Sequence, residues 1–364
     1  MKCNILCKFA IEKLMRMKDI ALQDIIALGE KMHNARRITV TAHVRPDGDA
    51  IGSTSAMLLF LKEIYGRREV RVLLCGECPA NLEFIIPESC KGDFMFLTDD
   101  FSEASEWVGG SDLVLLLDCN GFYRVEGLEE DLRRSDAFKV MIDHHLHPQT
   151  ELFDLVFSQP WQSSTCELLY HLFMRLPETG GDPLKLPREC AEALLSGLTT
   201  DTNNFANSVI PSTYVAASGL IRAGADRDRI LDHLYFNYPE GRIRLIGHLL
   251  ANKLHITPSG VAYMVCGSDD MKRFGLKDGD TEGFVNMPLA AGNVKMSVFA
   301  KADGEFYRVS IRSKKGISAR DFAEEWFGGG GHELAAGGKI RMNGAEDEKK
   351  AHEYIEKAIS AFIR

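Results

Sequence analysis

No apolar run in this 364-residue chain approaches the length of a membrane span, which argues against an integral membrane protein. The basic opening, Met1-Lys2-Cys3-Asn4-Ile5-Leu6-Cys7-Lys8, is not followed by an uninterrupted apolar segment or a small-residue cleavage site. No secretory signal peptide is therefore expected, and Met15 or Met17 would serve as alternative starts. Positive charge is in deficit: 43 Lys and Arg against 52 Asp and Glu leave a net charge of −9. A protein that coats nucleic acid nonspecifically needs a basic face, so that class is disfavoured, whereas a small phosphorylated substrate held by a few local cations is compatible. A disulfide framework is also missing. The nine cysteines are odd in number and scattered, which suits a reducing cytoplasm. Cys75-Gly76-Glu77-Cys78 has no second pair or nearby histidine to complete a zinc site, and reads as a strand end before a proline turn. Internal repeats and low-complexity tracts are absent.

What is present is a globular composition, 45% apolar and 26% charged, in a chain too long for one ordinary core. Two domains are expected. Asp19 to His33 reads as an amphipathic helix. Strands are predicted at Ile38–Thr41, Glu69–Cys75, Ser111–Asp118 and Lys139–Asp143, alternating with helices over Ala50–Tyr65, Ser164–Leu176 and Pro187–Thr200. Ser164-Thr165-Cys166-Glu167 matches a capping box. This alternation predicts an α/β domain with a mostly parallel sheet over 1–211. A charged helical connector is expected over 212–254. A smaller α+β domain should follow over 255–364, with strands at Val261–Cys266, Gly283–Pro288, Val294–Ala300 and Tyr307–Ser313. A helix is predicted over Ser318–Phe327, then a Gly328–Gly331 loop, and a last helix over Glu346–Ile363.

The chain is organised around Ala42-His43-Val44-Arg45-Pro46-Asp47-Gly48-Asp49-Ala50-Ile51-Gly52-Ser53. A β-branched strand stops at His43, Pro46 and Gly48 force a loop, and a helix follows, which is where open α/β sheets bind ligands. Asp47 and Asp49 with His43 suit a divalent ion that accepts both nitrogen and oxygen donors. The same residues would also serve as a turn at Asp47-Gly48 with Asp49 capping the helix. Three further features are placed alike: Asp118 ends an apolar strand, Asp143-His144-His145 ends the next, and Asp201 closes an apolar helix. Charged groups are rarely set repeatedly beside a buried sheet without partners. Asp47, Asp49, Asp118 and Asp201 carry four negative charges, which two divalent ions would balance, with His43 and His144 completing the shells. A carboxylate bridging the ions, best supplied by Asp118, would hold them about 3.5–4 Å apart, and a bridging water that loses its proton would be the nucleophile. In the second domain, the glycine run ending in His332 lets backbone N–H groups approach an anion, and Arg312 can grip a phosphate bidentately.

Taken together, the His43–Ser53 loop, Asp118, Asp143-His144-His145 and Asp201 resemble the four successive motifs of the DHH phosphoesterase superfamily. Arg312-Ser313 and Gly328-Gly329-Gly330-Gly331-His332-Glu333-Leu334-Ala335-Ala336-Gly337 resemble its DHH-associated nucleotide-binding domain. Without extra domains, the arrangement is similar to the nanoRNase and pAp phosphatase family. That resemblance implies a manganese-dependent enzyme, with Mg2+ or Co2+ as substitutes, acting on very short single-stranded RNA and on 3′,5′-bisphosphate nucleotides. It implies one ion on His43, Asp47 and Asp118, and a second on Asp49, Asp118, His144 and Asp201. Asp143 would orient a neighbouring histidine. His145 would bind the scissile phosphate or protonate the leaving oxygen. Arg124 would clamp a phosphate, and Arg312, Ser313, Gly329, Gly330, Gly331 and His332 would bind substrate. A cleft between the domains too small for long duplexes, a homodimer and a cytoplasmic setting are also implied. Two rivals stand: a phosphodiesterase for cyclic dinucleotides or their linear products, and a nucleotide-binding protein that has lost the chemistry.

Overall fold

The computed structural model describes residues 20–67, 69–276, 279–341 and 348–362. The alternative starts and the first residue of the predicted Asp19 helix lie outside them. The chain divides into a unit spanning Met1–Asn237 and one spanning Tyr238–Arg364.

In the first unit, α1 (Leu22–Asn34) leads into β1 (Arg37–Thr41), followed by α2 (Gly48–Glu63), β2 (Glu69–Cys75), β3 (Phe94–Leu97), α3 (Ser102–Gly109) and β4 (Leu113–Leu117). Then come α4 (Glu129–Arg134), β5 (Phe138–Asp143), β6 (Leu155–Ser158), α5 (Thr165–Arg175) and α6 (Arg188–Asp201). The six strands are all parallel, in the order β3-β2-β1-β4-β5-β6. Every residue of β4 is buried, because the sheet is covered on both faces. Leu113, Leu115 and Leu117 join a core with residues of α1, α2, α5 and α6, while Val114 and Leu116 join one with α3 and α4. The strand order reverses between β1 and β4. That reversal opens a crevice at the carboxyl ends of β1, β4 and β5.

One helix crossing decides what reaches that crevice. A Cβ on Gly52 would lie 2.7 Å from the Ala193 carbonyl oxygen, and one on Gly197 would lie 3.0 Å from that of Gly48. The backbones of α2 and α6 therefore approach more closely than side chains would allow, and Asp49 at the start of one helix comes beside Asp201 at the end of the other. Gly52→Val should force the helices apart, costing about 1–3 kcal/mol by overpacking. A lower melting temperature together with weaker divalent-ion binding would be the readout, and an unchanged affinity would show that the crossing does not set the site.

The expected helical connector is divided between the units. α7 (Pro211–Arg222) and α8 (Arg227–Tyr235) fall in the first, and α9 (Glu240–Asn252) in the second. The second unit continues with β7 (His255–Ile256), β8 (Val261–Cys266), α10 (Ser268–Arg273), β9 (Met296–Asp303), β10 (Phe306–Ser313), α11 (Ala319–Phe327), β11 (Gly330–His332), β12 (Ala335–Arg341) and α12 (Glu348–Phe362). Its sheet runs β11-β12-β10-β9-β8-β7, antiparallel except for the parallel pair β8–β9. Two expectations are corrected here. Gly283–Pro288 is no strand: Phe284–Ala290 is a 3-10 helix burying Phe284, Val285 and Pro288, and a strand ladder would need the N–H that Pro288 lacks. The glycine loop is shorter than expected, since Gly328 ends α11 in the left-handed region and Gly330–His332 already pairs with β12. The short strands β3, β6 and β12 carry no clear alternation and were not legible in the sequence.

Candidate metal centre

β1 stops two residues before His43, and the loop after it is tied down by its backbone. Val44 N donates to the Arg124 carbonyl and Arg45 N to that of Cys75, each at 2.8 Å. The His43 Nδ1 lies 3.0 Å from the Val44 carbonyl, so Nδ1 donates there and Nε2 faces the carboxylates. That Nε2 is 3.4 Å from Asp118 Oδ2 and 3.7 Å from Asp47 Oδ2. Asp47 also caps α2: its Oδ1 accepts from Asp49 N at 3.0 Å and Ala50 N at 3.1 Å. The cap is thus Asp47 rather than Asp49, and one carboxylate serves both purposes with separate oxygens.

Asp118 follows β4 with a φ of 52°, a left-handed turn that aspartate tolerates better than most residues. The turn aims its carboxylate across the crevice. While Oδ2 faces His43, Oδ1 lies 3.5 Å from His144 Nε2 and 3.6 Å from His145 Nδ1. At the end of β5, Asp143 accepts from His145 Nδ1 at 2.7 Å and from the His145 backbone N at 3.0 Å, which fixes the orientation of that ring. His144 turns the other way. Its Nδ1 is 3.3 Å from the Gln162 carbonyl, and its Nε2 is 3.9 Å from Asp49 Oδ2 and 3.7 Å from Asp201 Oδ2.

Three groups of side chains place ligand atoms within 4.8 Å of one another: His43, Asp47 and Asp118; Asp49, His144 and Asp201; and Asp118, His144 and His145. Asp118 faces His43 and His144 with different oxygens, so one carboxylate could serve two ions. The electrostatics fit a cation. Burial lowers the His43 pKa, yet its hydrogen bonds to Asp118 and Asp47 outweigh that and raise it to about 10. Burial likewise opposes the charge on His144, and Asp201, Asp118 and Asp49 raise its pKa to about 9. The Asp49 carboxyl is pushed well up by burial and then by Asp118 and Asp201. Like charges crowded into a buried crevice with imidazoles as their neighbours are what a divalent ion relieves. The nitrogen and carboxylate donors suit a manganese-like ion better than a thiophilic one.

The remaining candidates lie elsewhere or act differently. Arg124, at the end of a short 3-10 turn (Phe122–Arg124), is half-buried and its guanidinium forms no ion pair with the described residues. In the second unit, Arg312 pairs with Ala335, and Ala335 with His332, so both side chains flank one small residue on the same face of the sheet. Gly330 and Gly337 are neighbours on that face. Ser313 donates through Oγ to the Ile317 carbonyl at 2.7 Å and is buried. A Cβ on Gly329 would lie 1.8 Å from the Gly337 carbonyl oxygen, and one on Gly331 2.6 Å from that of Ala335. Close backbone approach in the hairpin is therefore enough to require both glycines. Burial pushes the Cys75 and Cys78 thiols up to about 12, which keeps them protonated and unreactive.

Sequence reasoning missed the turn before α5. Asp49 Oδ2 accepts from Thr165 N at 2.7 Å and Asp49 Oδ1 from Cys166 N at 3.0 Å, while Thr165 Oγ1 donates to Asp118 Oδ1 at 3.1 Å. The expected capping box is present in altered form: Ser164 accepts from Glu167 N, but Glu167 reaches the Ser163 N rather than that of Ser164. A helix N-terminus at the carboxyl end of a parallel sheet was the available signal.

Residues 37–198 match the DHH family N-terminal domain, and residues 259–361 match the DHHA1 domain. The crystal structure of an exopolyphosphatase-related protein from Bacteroides fragilis is similar, with a TM-score of 0.84 and 30% identity, over 94% of this chain and 97% of that one. A bifunctional oligoribonuclease and PAP phosphatase NrnA from Thermus thermophilus is 28% identical over 88% of this chain and 89% of its own length. The cyclic-di-AMP phosphodiesterase GdpP of Bacillus subtilis is 28% identical over 63% of this chain but only 35% of its own length. No helix among the described residues is long and apolar enough to cross a membrane.

Proposed function

Because this chain belongs to the DHH family and is a hydrolase acting on phosphoester bonds, we propose that it cleaves very short oligoribonucleotides to mononucleotides and dephosphorylates 3′,5′-bisphosphate nucleotides such as pAp. The observation that carries this reading is the near full-length likeness to an oligoribonuclease and PAP phosphatase, joined to a crevice where seven His and Asp side chains meet. His43, Asp47 and Asp118 would hold one Mn2+, and Asp49, Asp118, His144 and Asp201 a second. Such ions supply Lewis-acid charge at the phosphoryl group and a nucleophile at neutral pH. His145, steadied by Asp143, would bind the scissile phosphate and, when doubly protonated, pass its Nε2 proton to the leaving oxygen. Arg124 would grip a phosphoryl oxygen. Arg312 and His332, beside the small residues Ala335 and Gly330, would hold a second phosphate of the substrate.

The test is mononucleotide release from 5′-phosphorylated ribonucleotides, dimers to twenty-mers, with Mn2+, and with pAp and cyclic-di-AMP run in parallel. A rate falling steeply with length, together with phosphate release from pAp, is expected. Length-independent degradation would overturn the short-substrate reading. The likeness to GdpP supports cyclic dinucleotides as the second reading, and cleavage of cyclic-di-AMP alone would establish it. No turnover and no bound metal would leave a nucleotide-binding protein.

Metal loading should also release protons. With pKa values raised to about 10 and about 9, His43 and His144 carry protons at neutral pH in the metal-free protein, and each must lose one before Nε2 can ligate. Protons compete with the ion, so affinity should rise with pH up to those values. Calorimetric titrations of Mn2+ in buffers of different ionisation enthalpy measure the release; a value of zero near neutral pH would contradict the assignment.

A further inference from the structure

Glu167 is a fully buried carboxylate that the proposed chemistry does not use. Among the described residues, no lysine or arginine is paired with it. Its partners are hydroxyls and an amide: Ser163 Oγ at 2.5 Å, Ser163 N at 3.1 Å, Ser212 Oγ at 2.5 Å and Thr213 Oγ1 at 2.8 Å, with His171 Nε2 at 3.6 Å. Burial works against its charge, but the contacts from His171, Ser163, Ser212 and Thr213 hold its pKa below the usual range, so the group is ionised. An interior anion satisfied wholly by short-range donors is a rigid anchor, because losing the charge weakens several hydrogen bonds at once.

The anchored backbone is where the crevice gets its shape. The turn from Gln162 to Cys166 supplies the carbonyl that orients His144, the two amides that hold Asp49, and the hydroxyl that holds Asp118. Ser212 and Thr213, at the start of α7, close the other end of the loop that begins after Asp201. Along that loop Asn203, Asn204, Phe205 and Ser208 all take positive φ, a conformation that needs support from outside itself. Glu167 thus ties together the segments bearing Asp49, His144 and Asp201. His43 and Asp47 sit on the other side of Asp118, and the Glu167 turn makes no hydrogen bond to either.

We infer that Glu167, through the Gln162–Cys166 turn and Thr165, is a positioning residue for one of the two metal positions, the one formed by Asp49, His144 and Asp201, and not for the one formed by His43 and Asp47. The inference rests on the two-ion reading above. Outer contacts of this kind are worth about 10- to 100-fold in metal affinity.

The experiment is a Mn2+ titration of the full chain, followed by the electron paramagnetic resonance of free Mn2+, with activity measured at each concentration. The wild type should bind two ions per chain. Glu167→Gln and Thr165→Val should each weaken one of them by about 10- to 100-fold and leave the other unchanged. Their kcat should fall at low Mn2+ and recover at high Mn2+, with KM for substrate little altered. Thr165→Ser, which keeps the hydroxyl, should restore wild-type affinity. If Glu167→Gln does not fold, the Thr165 pair decides the matter. Two unchanged affinities, or equal weakening of both, would overturn the positioning role. A wild type that binds no divalent ion would instead overturn the two-ion reading itself.

Discussion

Asp118→Asn should reduce phosphoester hydrolysis by about 10³-fold or more, beyond the usual loss from one electrostatic donor. The substitution is nearly isosteric, and asparagine accepts the left-handed backbone at this position, where φ is 52°. What changes is charge. Asp118 lies 3.4 Å from His43 Nε2 with one oxygen and 3.5 Å from His144 Nε2 with the other, so both proposed ions lose a ligand together. The metal-free variant also loses the carboxylate that holds a proton on buried His43, so the His43 pKa should fall toward its ordinary value. Elemental analysis after dialysis should show both ions depleted, and product release should be the activity readout. An Asp118→Asn enzyme that keeps full activity would remove the bridging carboxylate from the mechanism. One that loses a single ion with full affinity at the other would make Asp118 a terminal ligand.

His145→Ala should lower kcat by about 10²- to 10⁴-fold, the range for removing a positioned acid–base group, while both ions stay bound. The reason is the 2.7 Å hydrogen bond from Nδ1 to the fully buried Asp143, which commits that nitrogen to the carboxylate. Asp143→Asn should give a smaller loss, since the ring remains but its tautomer and orientation are released. Metal stoichiometry separates this role from ligation. His145 does stand close enough to Asp118 and His144 to join a metal group. If His145→Ala loses an ion, the residue is a ligand and the proposed division of labour between the two histidines is wrong. The leaving group gives a second check: a substrate with a better leaving group should suffer less from His145→Ala, because less protonation is needed.

The parallel-sheet character of the first unit, the second sheet-bearing unit and the DHH motifs were legible from the sequence. The physical reason is locality. An apolar strand that ends in Asp or His, followed by proline or glycine, fixes a loop at a strand's carboxyl end whatever lies around it, and β1, β4 and β5 each carry that signature. Parallel strands buried on both faces read as unbroken apolar runs, which is how Leu113–Leu117 appeared. What the sequence could not decide was which ends meet, and with what. Asp201 reaches Asp49 only because Gly52 and Gly197 let two helices cross at backbone distance. Thr165 looked like part of a helix cap. Its hydrogen bonds to Asp49 and Asp118 span 116 and 47 residues, separations that no local pattern encodes. The backbone geometry of the second unit's glycine run was hidden for the same reason. Its residues suit an anion loop by composition, yet the pairing of Gly330–His332 with Ala335–Ala336–Gly337 makes it a strand whose glycines admit a neighbouring backbone. Local chemistry named the candidate side chains, and long-range packing supplied the distances between them, because distance depends on contacts the chain makes only once it is folded.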